Sequence, residues 1–221
     1  MATIIPTCET AVSALPEWHR AVFNGKEDLV TSSAGWSPGA LNLAQGVAMK
    51  LHAQLLHNEM TRLLIDLSKD PTDPARWSEH SMTLTEEQRE KLDQRQKSVY
   101  LNALEARVEN AVQRGETAIH ISFDTRPDIR DAWVEIEYDL RVDGEAAFAR
   151  SWRDAMLTKL PNAVIRDVAS PTKGLGAFLR KRHPGLLSLR FSAAQSIFLD
   201  GSPVAWTPFK KAVIDSIHSI R

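Results

Sequence analysis

Ala118-Ile119-His120-Ile121-Ser122-Phe123 is a short run, mostly apolar or β-branched, with Gly115 ahead of it and Pro127 behind it. A run of that length between turn residues predicts a strand buried on both faces, as in a sheet covered by helices on either side. Three more runs have this character: Thr3-Ile4-Ile5, Leu63-Leu64-Ile65 within residues 62–67, and Leu187-Ser188-Leu189 within residues 186–191. The expectation is that all four are neighbouring strands of one sheet. Residues 133–138 and 163–165 are two further candidates.

Helical patterns lie between these runs. Residues 7–35 read as loop with one short helix. Ser37-Pro38 has the chemistry of a helix start, a capping hydroxyl followed by a proline at the first helical position. Leu41, Leu43, Val47, Leu51, Leu55 and Leu56 supply an apolar stripe behind it. Residues 68–84 are rich in Pro, Asp and Ser and form the longest loop. A long helix should follow, opened by a capping box of Thr83 with Glu86 or of Thr85 with Gln88. Its first half, residues 86–97, is almost all polar and reads as a solvated face. Tyr100, Leu101, Leu104, Val108 and Val112 make its second half amphipathic, and Gly115 ends it. Helices are also expected at 145–160, with Phe148, Trp152 and Leu157 inward, and at 175–182 and 206–220. Strands alternating with helices give a three-layer α/β fold with a mostly parallel or mixed central sheet, as a single domain over 1–221. In such sheets ligands sit beyond the carboxyl ends of the strands, which singles out 7–10, 66–70, 124–128 and 190–195.

Composition narrows the function. With 221 residues, 43% of them hydrophobic and 25% charged, the chain can bury one sizeable core. Its formal net charge of −1 gives no electrostatic reason to expect nucleic acid. A membrane is not expected as a partner, because no apolar run approaches the length of a bilayer span. Cys8 is the single cysteine, which rules out an internal disulfide and a four-cysteine zinc site. The start lacks a basic region and a long apolar core, so no secretory signal is expected and the cytoplasm is the default.

No local motif names a reaction. His52 and His57 do not share a helical face, and His57-Asn58-Glu59 is not the metalloprotease pattern. Lys173-Gly174-Leu175-Gly176 lacks the spacing and the hydroxyl residue of a phosphate loop, so a helix-entry turn is the plainer reading. Cys8 follows a strand, where a nucleophile could stand, but without a placed base a buried structural thiol is the better reading.

Seven ordered segments together resemble the N-formylglutamate amidohydrolase family from about residue 3 to 200. They are Thr7-Cys8-Glu9-Thr10 with Pro16; Ser33 to Leu41 around Gly35-Trp36-Ser37-Pro38-Gly39; Thr61-Arg62-Leu63 with Asp66-Leu67-Ser68-Lys69; and His120 to Pro127. After these come Tyr138-Asp139 with Glu145, Phe148 and Trp152; Arg166-Asp167 with Gly174-Leu175 and Leu179-Arg180; and Ser188 to Gln195. The resemblance implies a carboxypeptidase-like fold and a zinc hydrolase that cleaves an amide beside a carboxylate. Such chemistry needs protein ligands, a metal-bound water and a carboxylate to move the proton. At the matching positions, however, this chain has Thr10, Ser33 and Ser37 where the family has His, His and Asp, Asp124 where it has His, and Arg190 and Ser192 where it has carboxylates. Hydroxyls are poor zinc ligands, so no metal or other cofactor is expected.

The resemblance leaves Thr10, Ser33, Ser37, Arg62, Asp66, Lys69, Asp124, Arg126 and Arg190 as candidate ligand-binding residues, and Glu9, Asp66 and Asp124 as the only catalytic candidates. The leading expectation is a metal-free, non-catalytic relative that binds a small anion such as a carboxylate, or a protein partner. Equally expected is a structural role, in which a buried ion pair replaces the metal's charge: Arg62 with Asp66, or Arg190 with Asp124 first and otherwise with Asp66 or Glu9. The alternatives are an active amide hydrolase rebuilt around Glu9, Asp66 and Asp124, and a structural subunit of an active paralogue.

Overall fold

The computed structural model describes residues 2–170, 173–199 and 203–220. The strands are β1 (Ala2–Cys8), β2 (Leu56–His57), β3 (Thr117–Arg126), β4 (Val134–Tyr138), β5 (Ile165–Ala169) and β6 (Leu187–Ala194). They form one sheet in the order β2-β1-β3-β6-β4-β5. Its ladders are parallel except for β4 against β6. The helices are α1 (Glu27–Thr31), α2 (Ala40–Leu51), α3 (Glu86–Gln96), α4 (Asn102–Gln113), α5 (Glu145–Leu157), α6 (Leu175–Arg182) and α7 (Pro203–Ser219). Among the described residues no helix is long and apolar enough to cross a membrane.

The two faces of the sheet differ, and the difference positions the site. Ile4, Ile119, Ile121, Phe123, Leu189, Phe191, Val134 and Ile136 share one face and pack on α2, α5 and α7, with Trp152 against Phe123 and Phe191. On the other face each central strand changes character along its length. β1 runs Ile5, Thr7 and then Glu9; β3 runs Ala118, His120, Ser122, Asp124; β6 runs Ser188, Arg190, Ser192 after Leu186. The apolar starts are covered by α4 and α6 through Leu104, Val108, Ala111 and Leu179. The polar ends lie beyond that cover.

Some expectations shift. Leu63-Leu64-Ile65 is not a strand. Residues 62–64 form a turn closed by the Leu64 amide on the Thr61 carbonyl, with Leu64 and Ile65 fully buried in the second core. The strand beside β1 is instead Leu56–His57, paired with Thr7 and Cys8. The apolar stripe placed Leu55 and Leu56 on a helix, but α2 stops at Leu51 and His52 is left-handed (φ 52°). The start of α2 is Ala40, after Gly39 at φ 83°, where a side chain would come within 3.0 Å of Phe198 Cζ. The Ser37 hydroxyl does not cap that helix because Asp124 takes it. The Thr85–Gln88 capping box forms in full. The helix it opens is interrupted by a π-helical turn, Lys97–Leu101. That turn carries an extra residue, which lets both Tyr100 and Leu101 be buried. Val112 faces solvent, and β5 begins where residues 163–165 end.

Candidate functional site

Two adjoining polar groups occupy the strand ends. The first centres on Asp124. Its Oδ1 accepts the Thr10 hydroxyl at 3.0 Å, the Ser37 hydroxyl at 2.5 Å and the Thr125 amide at 2.9 Å. All are buried. The Ser37 amide bonds the Thr10 carbonyl, so the loops after β1 and before α2 are held on the end of β3. Ser192 stands opposite Asp124 in register, fully buried, and its hydroxyl has no hydrogen-bond partner. Replacing Asp124 with Ala strands two buried hydroxyls and an amide, at an expected cost of about 2 kcal/mol in a urea melt. Asp124→Asn keeps an acceptor and should cost less. Unchanged stability in Asp124→Ala would contradict this account.

The second group lines an open cleft of about 400 Å³ over Glu9, His120, Ser122, Arg190, Lys69 and Lys173. Glu9 is 2% exposed. It accepts the Tyr100 phenol at 2.6 Å and the Ser122 hydroxyl. Burial, with Glu9 alongside, holds the Tyr100 phenol well above its ordinary range. His120 sits between the Thr7 and Ser188 hydroxyls, 2.8 Å from each. Burial lowers its pKa to about 4, against the opposing pull of Glu9. At neutral pH it is an uncharged imidazole spanning β1, β3 and β6. Arg190 on β6 stands opposite Ser122 on β3 and Glu137 on β4.

The sequence-derived candidates divide by where they fall. Thr10, Ser37 and Asp124 meet. Glu9, Lys69 and Arg190 line the cleft. The expected Arg190–Asp124 pair does not form: among the described residues no carboxylate lies within 4.0 Å of Arg190. Ser33 contributes its carbonyl to the Arg62 guanidinium, which also bonds the Ala34 carbonyl at 2.9 Å. Arg62 therefore staples the 33–35 loop. Asp66 closes a turn, accepting the Ser68 amide and hydroxyl at 3.0 and 2.6 Å. Arg126 is held by Asp128, Glu135 and Glu137 at 2.5, 3.3 and 3.4 Å, and its pKa is raised, first by the hydrogen bond to Asp128. Sequence reasoning missed Ser122, His120 and Lys173 as cleft residues and Tyr100 as the partner of Glu9. A usable signal was present: polar residues at every second position toward the ends of otherwise apolar strands.

The residues at the positions where the family resemblance would place a zinc do not fit one. Thr10 and Ser37 spend their hydroxyls on Asp124, and Ser33 is bound up with Arg62 through its backbone. Among the described residues no group of three or more His, Cys, Asp or Glu could hold a metal ion. One partnerless hydroxyl, on Ser192, does not amount to a ligand set.

No family model matches the chain, and no curated protein matches it in sequence. Solved structures do match over nearly the whole length. Gene product Atu2144 from Agrobacterium tumefaciens aligns with a TM-score of 0.67 at 19% identity, over 99% of this chain and 92% of that one. N-formylglutamate amidohydrolase from Ralstonia eutropha JMP134 aligns with a TM-score of 0.62 at 14% identity, over 97% and 93%. The chain has the fold of these proteins: three layers, with a mixed sheet at the centre.

Proposed function

We propose that this chain is a metal-free relative of the N-formylglutamate amidohydrolases that binds a small carboxylate in the cleft and does not hydrolyse it. One observation carries the reading. Among the described residues Arg190 lines the cleft without a carboxylate partner, and the acids that line the cleft with it are already engaged. Glu137 is paired with Arg126, Glu9 is bonded by Tyr100 and Ser122, and Asp73 accepts the Ala75 amide. Lys69 and Lys173 add positive charge to the same cleft. A guanidinium can offer a carboxylate two parallel hydrogen bonds and stays charged at any working pH.

Titration calorimetry with N-formyl-L-glutamate tests this. Arg190→Gln should weaken binding by roughly 10- to 100-fold, the worth of a charge-assisted hydrogen bond, while leaving the melting temperature nearly unchanged. A loss of stability without a loss of binding would make Arg190 structural. Formate release from the same compound should stay at background with or without added zinc. Stoichiometric zinc together with turnover would overturn the non-catalytic reading.

A further inference from the structure

We infer that this chain pairs with a second copy of itself along the outer edge of β2, independently of what the cleft binds. β2 is the last strand at its end of the sheet. The Asn58 amide bonds the Cys8 carbonyl of β1. Backbone groups alternate sides along a strand, so His57 turns its own amide and carbonyl away from β1. Among the described residues no other strand takes them up. Such an edge is a template for a further strand. Beside it lies a groove of about 160 Å³ with Leu55, Leu56, Met60 and Val99 in its wall. Val99 is 61% exposed. The apolar surface continues past Arg95, also in the wall, to Trp18, which is 66% exposed and has its ring centre 5.7 Å from the Arg95 guanidinium.

Opposite charges at the two ends of this edge select the partner. Gln96 Nε2 meets Met60 Sδ at 3.4 Å, and the Arg107 guanidinium donates to Gln54 Oε1 at 2.9 Å. The run from α3 to α4 therefore passes β2 in the opposite direction, with Arg107 beside the start of β2 and Glu59 just past its end. Among the described residues neither Arg107 nor Glu59 forms an ion pair. Two copies related by a twofold axis at His57 run antiparallel there, and the two His57 residues exchange both backbone bonds. In that register residue 59 of one copy faces residue 55 of the other, at the end where the other copy's Arg107 stands. Each Glu59 thus meets an unpaired guanidinium, twice over by symmetry. The same axis brings the two grooves together and covers Val99 in both. A foreign strand would have to supply both charges in this order, whereas a second copy already carries them.

Sedimentation of the full chain across the micromolar range tests this, and should show a monomer–dimer equilibrium. Val99→Asp should give a monomer with unchanged circular dichroism, because Val99 is exposed in the single chain. Glu59→Arg should weaken the dimer by about tenfold, since two surface ion pairs become like-charge contacts. Adding Arg107→Glu to Glu59→Arg should restore it. His57→Cys supplies a readout that does not depend on the charge swap: it should cross-link into a covalent dimer under mild oxidation, whereas Cys8, the native cysteine, is fully buried. A monomer at every concentration overturns the inference. A dimer that survives Val99→Asp and Glu59→Arg uses another surface and overturns it equally. A dimer in which His57→Cys fails to cross-link overturns the axis at His57.

Discussion

Glu145→Ala should cost about 3–5 kcal/mol of folding stability, the usual penalty for removing one partner of a buried ion pair, and should lower the melting temperature by about 10 °C. Glu145 is 0% exposed at the start of α5. Its Oε1 accepts the Ser188 amide at 2.7 Å and the Arg180 guanidinium at 2.8 Å, and its Oε2 accepts the Asp139 amide at 2.7 Å. Burial raises its pKa, opposed by the two amides and by Arg180. Truncation orphans two buried amides and removes the nearer carboxylate of Arg180, whose contact with Asp139 is 3.9 Å. The double variant Glu145→Ala with Arg180→Ala should recover part of the loss, since no charge is then stranded. Ser188 lines the cleft and Arg180 belongs to α6, whose Leu175 and Gly176 also line it, so carboxylate binding should weaken in the single variant too. A loss under 1 kcal/mol in urea melts would show that this network adds little.

The same network shows which parts of the structure could be read from residues alone. Runs such as 118–123 and 186–191 combine apolar content, β-branching and flanking turn residues, and they became strands. Leu63-Leu64-Ile65 has the same signature but is a core plug. Periodicity reports burial, and a short apolar run is buried alike in a sheet or beneath one. Leu56–His57 is too short to leave any pattern. In the site, the meeting of Thr10, Ser37 and Asp124 could be expected only through their places in ordered segments, since they lie far apart in the chain. The Arg190–Asp124 pair was misplaced by register. Asp124 faces Ser192 on β6, and Arg190 lies two residues back, roughly 7 Å along the strand. Arg62, Asp66 and Arg126 carry charge that suits a ligand, yet their partners are turn amides, loop carbonyls and neighbouring acids that no spacing rule reveals.

His120 should make stability fall with pH over a window set by its own burial. In the unfolded chain its imidazole titrates near 6.5; in the fold its pKa is about 4. A depressed folded-state value means that the unfolded chain takes up a proton that the native protein refuses. The associated stability is therefore fully present above pH 6.5, declines as pH falls below it, and is gone below about pH 4. The whole difference is worth about 3 kcal/mol. Other groups titrate in that range, so the comparison is with His120→Asn, which lacks the ionisation. The variant should be the less stable protein at pH 7.5, having traded the Thr7 and Ser188 hydrogen bonds for poorer ones, and the gap should narrow or reverse at pH 4.5. Parallel pH profiles would show that His120 is not the responsible group. The cleft provides a second check. Burial is the main cause of the depressed pKa, but the Arg180 and Arg190 charges add to it. A carboxylate bound to Arg190 offsets part of that charge and should raise the His120 pKa. Binding of N-formyl-L-glutamate near pH 4.5 should then take up protons, seen as a shift of the His120 resonance in an NMR titration. No shift on saturation would place the bound carboxylate away from Arg190.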